Sequence, residues 1–174
     1  ELLLQQSTAL FQQLVIDSPR IVVYRVGLAL ALGTLGECQA LAGDAEEGKL
    51  HMAQAADLLK ALTVEFPDQA EFHHRLAGIL NNLGNFHSST ESLATYEEAM
   101  RHESIAIRLS PTQREHRRWL GKQINNLAAA YSQSEDPGKA ESIWRAAIEN
   151  AARLAELTTA SYDDSHQQAH NWLG

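Results

Sequence analysis

The chain has 174 residues and a formal net charge of −8, with 44% hydrophobic and 21% charged residues. This composition is typical of a globular chain long enough for one domain or a short array of repeats. The acidic balance argues against nucleic acid as a partner, because phosphate binding requires clustered Lys and Arg. The densest basic run contains Arg114, Arg117 and Arg118 with Glu115 among them, and we interpret it as a solvated helix face.

Cys38 is the only cysteine, so no internal disulfide can form, and we interpret it as an inert core thiol. The longest uncharged apolar-rich run, residues 26–36, is shorter than the roughly 20 residues that a membrane-spanning helix needs. No signal peptide is visible. We therefore expect a cytoplasmic chain without a membrane segment. Because it begins with Glu1 and ends within a repeat unit, we expect it to be a piece of a longer protein.

Helix start signals recur every 20 to 26 residues along the chain. They are potential N-caps, several of them followed by proline or opening a capping box, at Ser18, Asp44, Asp68, Ser88, Ser110, Asp136 and Ser161. The predicted helices cover residues 2–16, 19–42, 45–65, 69–87, 91–108, 112–133, 137–157 and 162–173. Residues 21–24 alone would predict a strand. We assign them to a helix because Tyr24 and Phe72 lie 48 residues apart, at equivalent repeat positions.

A five-residue pattern at residues 80–84 returns at 124–128, with weaker copies at 32–36 and 170–174. The small residues that close these copies are 48, 44 and 46 residues apart. Such a period is typical of stacked antiparallel helix pairs. The sequence therefore predicts an all-α solenoid in one continuous array. Its predicted units are a partial unit with helix B at 1–17, repeats at 18–66, 67–109 and 110–158, and a partial unit with helix A at 159–174.

The units resemble tetratricopeptide repeats. In the third unit the matching residues, large–large–small–aromatic on helix A and small–aromatic–small on helix B, are Ile124, Leu127, Ala128, Tyr131, Ala140, Trp144 and Ala147. The second unit matches at Leu80, Leu83, Gly84 and His87, with Ala99 and Ala106 aligned to Ala140 and Ala147 by an insertion. The first unit matches at Leu32, Leu35, Gly36, Gly48, Met52 and Ala55. The resemblance implies a right-handed superhelix whose helices A line a concave, peptide-binding groove.

Residues 64–68 and 81–84 further resemble the long repeats that follow serine/threonine kinase domains in planctomycete-type bacterial proteins. That resemblance implies a larger protein in which the array could regulate a kinase in cis. The chain itself carries no kinase motif.

Asparagines within helices A are the most informative polar residues, because Asn is unfavourable inside a helix. An Asn amide can pair with the main chain of an extended peptide, since it offers both donors and an acceptor. The predicted groove site comprises Asn81, Asn82, Asn85, Lys122, Asn125, Asn126 and Ser132. A second interpretation stays open, in which these amides bond between neighbouring helices A and fix the repeat geometry.

We predict a non-catalytic protein–protein interaction module without a cofactor. Residues 43–49 have Walker-type spacing, but Leu50 replaces the required Ser or Thr, so we interpret the segment as an inter-helix turn. A weak metal candidate has ligand-like spacing on one helix face at Asp163, His166 and His170. His73 and His74 are adjacent and should diverge. The alternative function is end-to-end self-association through apolar ends at 2–4 and 172–173.

Overall fold

The computed structural model describes residues 2–134, 138–143 and 145–146. The helices within these ranges are α1 (Leu2–Asp17), α2 (Val22–Leu41), α3 (Ala45–Glu65), α4 (Ala70–Gly84), α5 (Ser89–Leu109) and α6 (Arg114–Ser132). Residues 138–143 and 145–146 are also helical. The described residues contain no strand, and successive helices pack as adjacent pairs, so the predicted all-α helical repeat is confirmed. The predicted helix at 162–173 lies outside the described residues.

The same four-residue turn precedes α2, α4 and α6, at residues 18–21, 66–69 and 110–113. Each turn has proline second, and the amide of its fourth residue donates to the carbonyl of its first at 3.1, 3.2 and 3.2 Å. The fixed φ of proline suits this position of a β-turn. Each helix therefore begins after the turn, with Ile21, Gln69 and Gln113 as N-caps. The N-caps predicted at Ser18, Asp68 and Ser110 are wrong, because each proline occupies the second position of the β-turn and not the first turn of the helix.

The second unit is shorter because its helix A lacks the last turn. In the first unit, α2 continues to Leu41 and is closed by Gly43, whose φ of 105° lies in the left-handed region that favours glycine. The Asp44 amide donates to the Gln39 carbonyl at 2.9 Å, which satisfies the helix end. In the second unit α4 already ends at Gly84. Residues 43–49 thus include an inter-helix turn, as predicted.

In the first two units, helices A and B are in close contact at a pair of small residues. In the first unit a Cβ added to Gly36 would lie 2.5 Å from the Gly48 carbonyl oxygen, and a Cβ on Gly48 would lie 2.5 Å from that of Gly36. In the second unit the Ser92 hydroxyl donates to the Gly84 carbonyl at 2.8 Å. Ser92 therefore takes the place of Gly48, 44 residues further along.

This register corrects the predicted alignment of the second helix B. Residues that match Gly48, Met52 and Ala55 are Ser92, Tyr96 and Ala99, and no insertion is required. The predicted match of Ala99 to Ala140 is therefore wrong. The second unit has four residues fewer than the first between its two small contact residues, Gly84 and Ser92, so all of α5 aligns four residues earlier than the first unit's spacing would place it. Met52 and Tyr96 each lie against the small residue of their own helix A.

Two apolar clusters form the core of the described residues. The first contains residues from each of the helices α1 through α5, and its fully buried large side chains include Met52, Leu59, Leu62 and Leu76. The second lies between α5, α6 and the helical residues that follow, and comprises Tyr96, Ile124, Leu127, Ala128, Tyr131 and Ala140. Buried polar side chains, among them Asn81, Glu103 and Gln123, join the second unit to the third. No helix within the described ranges has the length and apolar composition of a membrane span.

Two surface predictions are wrong. Arg117 is only 5% exposed, and its guanidinium donates to the Pro111 carbonyl at 2.5 Å. This hydrogen bond links α6 to the β-turn that precedes it. Arg114 and Arg118 are exposed, as the solvated-face interpretation requires. The Cys38 thiol is exposed, and is not a core thiol, because Gly36 and Gln39 occupy the buried stripe of α2 and Cys38 lies off it.

Candidate functional site: a pocket across helices A

An open pocket of about 370 Å³ lies between α2, α4 and α6, the helix A of each of three successive units. We call it the three-helix pocket. Its lining, given in chain order, is Leu30, Gly33, Thr34, Glu37, Glu71, His74, Arg75, Gly78, Ile79, Asn82, Glu115 and Trp119. A Cβ added to Gly78 would meet no atom within 4 Å, so glycine here leaves open space. The pocket is large enough for a side chain or a short peptide segment.

His74, which lines the three-helix pocket, pairs with a buried carboxylate behind the lining residues. The His74 Nδ1 lies 3.0 Å from each carboxylate oxygen of Glu103, which is fully buried on α5. Gln123 of α6 donates to the same carboxylate at 3.5 Å. Burial alone lowers the pKa of His74, but the hydrogen bond and charge of Glu103, with the charges of Glu71 and Glu115, outweigh it and raise the pKa. Burial also raises the pKa of Glu103.

His73 and His74 diverge as predicted, towards different neighbours. The His74 ring lies 4.5 Å from that of His116, centroid to centroid, and burial together with the charge of His74 lowers the pKa of His116. His73 instead faces His102, with their Nδ1 atoms 2.9 Å apart, and burial followed by the charge of His73 lowers the pKa of His102. Within the described part of the chain, no group of three or more His, Cys, Asp or Glu is arranged to hold a metal.

We expect the stabilisation that the His74–Glu103 pair contributes to the free energy of unfolding to fall as pH rises above 6.5, the ordinary pKa of histidine. The raised pKa values of His74 and Glu103 mean that the folded state holds protons more tightly than the unfolded state, so their stabilisation is lost as pH rises through them. His102 and His116, with lowered pKa values, give the opposite slope near pH 6.5, where the unfolded chain still binds their protons, and add little once the pH is about one unit higher. The decline is therefore taken as the difference between the wild type and the Glu103→Gln variant. Urea unfolding between about pH 6.5 and 9 measures the decline. The Glu103→Gln variant should lack most of it, and an unchanged slope would contradict the pairing.

Two of the predicted site asparagines form a hydrogen bond between neighbouring helices A. The Nδ2 of Asn126 on α6 donates to the Oδ1 of Asn81 on α4 at 3.0 Å, and Asn81 is only 5% exposed. This contact matches the second interpretation of the asparagines, in which they fix the geometry between units. Asn82, one residue further along α4, is half-buried and lines the three-helix pocket.

The other predicted site residues lie elsewhere. Asn85 follows the end of α4, accepts a hydrogen bond from the Tyr96 hydroxyl at 2.8 Å, and borders a separate pocket of about 330 Å³ with Asn126. Lys122 is exposed, with its Nζ 4.5 Å from the centroid of the Trp119 ring. Asn125 is half-buried on α6, and the Ser132 hydroxyl donates to the Ala128 carbonyl at 2.9 Å. The metal candidates Asp163, His166 and His170 lie outside the described residues.

Sequence reasoning missed most of the pocket lining, notably Glu37, Glu71 and Trp119. A signal was present, because stepping back from Asn82 by helical intervals of four, seven and eleven residues reaches Gly78, Arg75 and Glu71. Attention to the asparagines alone drew the predicted site towards the C-terminal ends of the helices.

Neither a scan against protein-family models nor a search of curated proteins finds a match to this chain. The functional interpretation therefore rests on the fold and on the three-helix pocket.

Proposed function

We propose that this chain is a non-catalytic protein–protein interaction module of the tetratricopeptide type, which binds an extended partner segment along its helices A. The observation that supports the proposal is the three-helix pocket, which is open and formed by three successive helices A. Its polar lining residues, such as Thr34 and Asn82, can offer hydrogen bonds to a peptide main chain. A segment that crossed the pocket would contact three units at once, as in groove recognition by helical arrays.

We expect Gly78→Leu to abolish peptide binding without unfolding the protein. The added side chain would enter the open space beside Gly78, and a helix interior accepts leucine more readily than glycine. A phage-displayed library of random dodecapeptides, selected on the immobilised wild-type protein, supplies the ligands. Their affinities are then measured for both proteins by isothermal calorimetry, with circular dichroism as the measure of folding.

The matched control is Ala94→Leu, which adds leucine at an exposed position of α5, outside the three-helix pocket. Peptides that bind the wild type and the control equally, and the Gly78→Leu variant at least about tenfold more weakly, would support the proposal. Retention of the peptides by Gly78→Leu would contradict groove binding.

Self-association remains the second candidate, and the exposed apolar side chains of α1 favour it. Leu3 and Leu10, seven residues apart and on one helical face, are 79% and 68% exposed. Exposed apolar residues in a row are typical of a surface that pairs with another. If no peptide is selected and the molar mass from light scattering rises with concentration, this function replaces the groove proposal.

A further inference from the structure

We infer that the three-helix pocket receives a cationic side chain of the partner segment, and that arginine fits it best. This inference rests on the proposed function, since it names the chemistry of the segment that the same pocket binds. Three features of the described residues carry it: the charges that line the pocket, the contact made by the Trp119 ring, and the space beside Gly78.

The charges around the pocket do not balance. Glu71 is paired with Arg75 at 2.7 Å, and the His74 ring is engaged by the buried carboxylate of Glu103. Glu37 on α2 and Glu115 on α6 form no ion pair with any described residue. Two carboxylates on different helices thus line one pocket without an ion-pair partner, although the charge of Glu115 also acts on His74. A cation placed between them gains from both, whereas an acidic side chain would be repelled by both.

The indole ring on the α6 wall shows what such a cation can contact. The ammonium group of Lys122 lies 4.5 Å from the centroid of the Trp119 ring, within the range of a cation–π contact. Lys122 is exposed and its stem is flexible, so a partner's cation can take its place without breaking a buried interaction. Trp119 also lines the three-helix pocket, so its ring is available to a cation that enters the pocket.

Arginine fits this combination better than lysine. Its guanidinium group is planar, stacks on aromatic faces, and bonds a carboxylate with two parallel N–H donors. Thr34 and Asn82 place further oxygen acceptors along the same lining. The absence of a side chain at Gly78 leaves room for the partner's backbone to pass close to α4.

The experiment uses synthetic peptide sublibraries of known chemistry. Acetylated nonapeptide amides are randomised at every position except the fifth, which is fixed as Arg, Lys, citrulline, Leu or Glu. Citrulline is the matched control for arginine, because it keeps the shape and loses the charge. We expect the fluorescently labelled protein to bind the Arg sublibrary about tenfold more strongly than the citrulline sublibrary, and the Glu sublibrary least.

Two charge variants locate the effect. The double variant Glu37→Gln with Glu115→Gln should reduce the ratio of Arg to citrulline binding to about twofold or less, since both unpaired carboxylates are lost. The control, Glu46→Gln with Glu47→Gln, removes the same charge from α3, away from the pocket, and should keep the ratio. Equal loss in both doubles would assign the preference to net charge and overturn the inference.

If the protein binds Leu or citrulline peptides as well as Arg peptides, and Gly78→Leu abolishes that binding, the groove function stands and the cation site is overturned. If no sublibrary binds, or Gly78→Leu binds every sublibrary as the wild type does, both are overturned.

Discussion

Glu103→Ala is expected to lower the free energy of unfolding by about 4 kcal/mol, because breaking a buried pair leaves the other partner uncompensated. Glu103 has no exposed surface, and its carboxylate accepts from Gln123 and contacts the His74 ring at 3.0 Å. Truncation removes the acceptor from both neighbours at once. Urea unfolding at about pH 7, followed by circular dichroism, measures the loss.

Two further variants separate the charge from the general cost of shortening a glutamate. Glu98→Ala, on the same helix, removes a partly exposed ion pair with Lys60 and should cost less than about 1 kcal/mol. Glu103→Gln keeps the volume and one acceptor oxygen, so its cost should lie between the two. An equal loss of unfolding free energy from Glu98→Ala and Glu103→Ala would show that the buried pair stabilises the fold no more than an exposed ion pair does.

Gly48→Ala is expected to cost about 3 kcal/mol, although alanine normally favours a helix over glycine. The added methyl group would lie 2.5 Å from the Gly36 carbonyl oxygen and 2.7 Å from the Ala40 amide nitrogen. Both are backbone atoms, which cannot rotate aside as a side chain can, so α2 and α3 would have to separate. The midpoint of urea unfolding should fall accordingly.

The matched control is Gly78→Ala, where the new methyl group meets no atom within 4 Å. It should raise the free energy of unfolding by about 0.5 to 1 kcal/mol, since alanine loses less conformational entropy in a helix. A gain from both substitutions would mean that α2 and α3 are not in close backbone contact. A loss from both would mean that Gly78 faces packed atoms and not the open pocket.

The helical array was predictable because its signals are local. Alternation of apolar residues with the helical period, turn residues at regular spacing and a repeated five-residue pattern each depend only on neighbours in the chain. The bounds of α3 were predicted to the residue, at 45–65. The helix starts after proline were predicted too early, because Ser-Pro can open either a helix or a β-turn and only the hydrogen bond from residue 21 to Ser18 distinguishes them.

The candidate site was predicted only in part. The sequence identified Asn82 and its neighbour Asn81 as unusual, but not which of them lines the pocket. Packing placed Asn81 against Asn126 and left Asn82 in the three-helix pocket. Asn81 and Asn82 are chemically identical and adjacent in the chain. Their environments differ only because the neighbouring helix covers one of them.

Periodicity and turns are properties of short segments, so the class of the fold and the order of the helices could be predicted from the residues alone. Which polar residues are buried between units, and which border the pocket, depends on how the helices pack. Glu103, His74 and Gln123 come from three helices, as do Glu37, Glu71 and Glu115. Groups so far apart in the chain meet only once the helices have packed at fixed distances, and no local pattern encodes those distances.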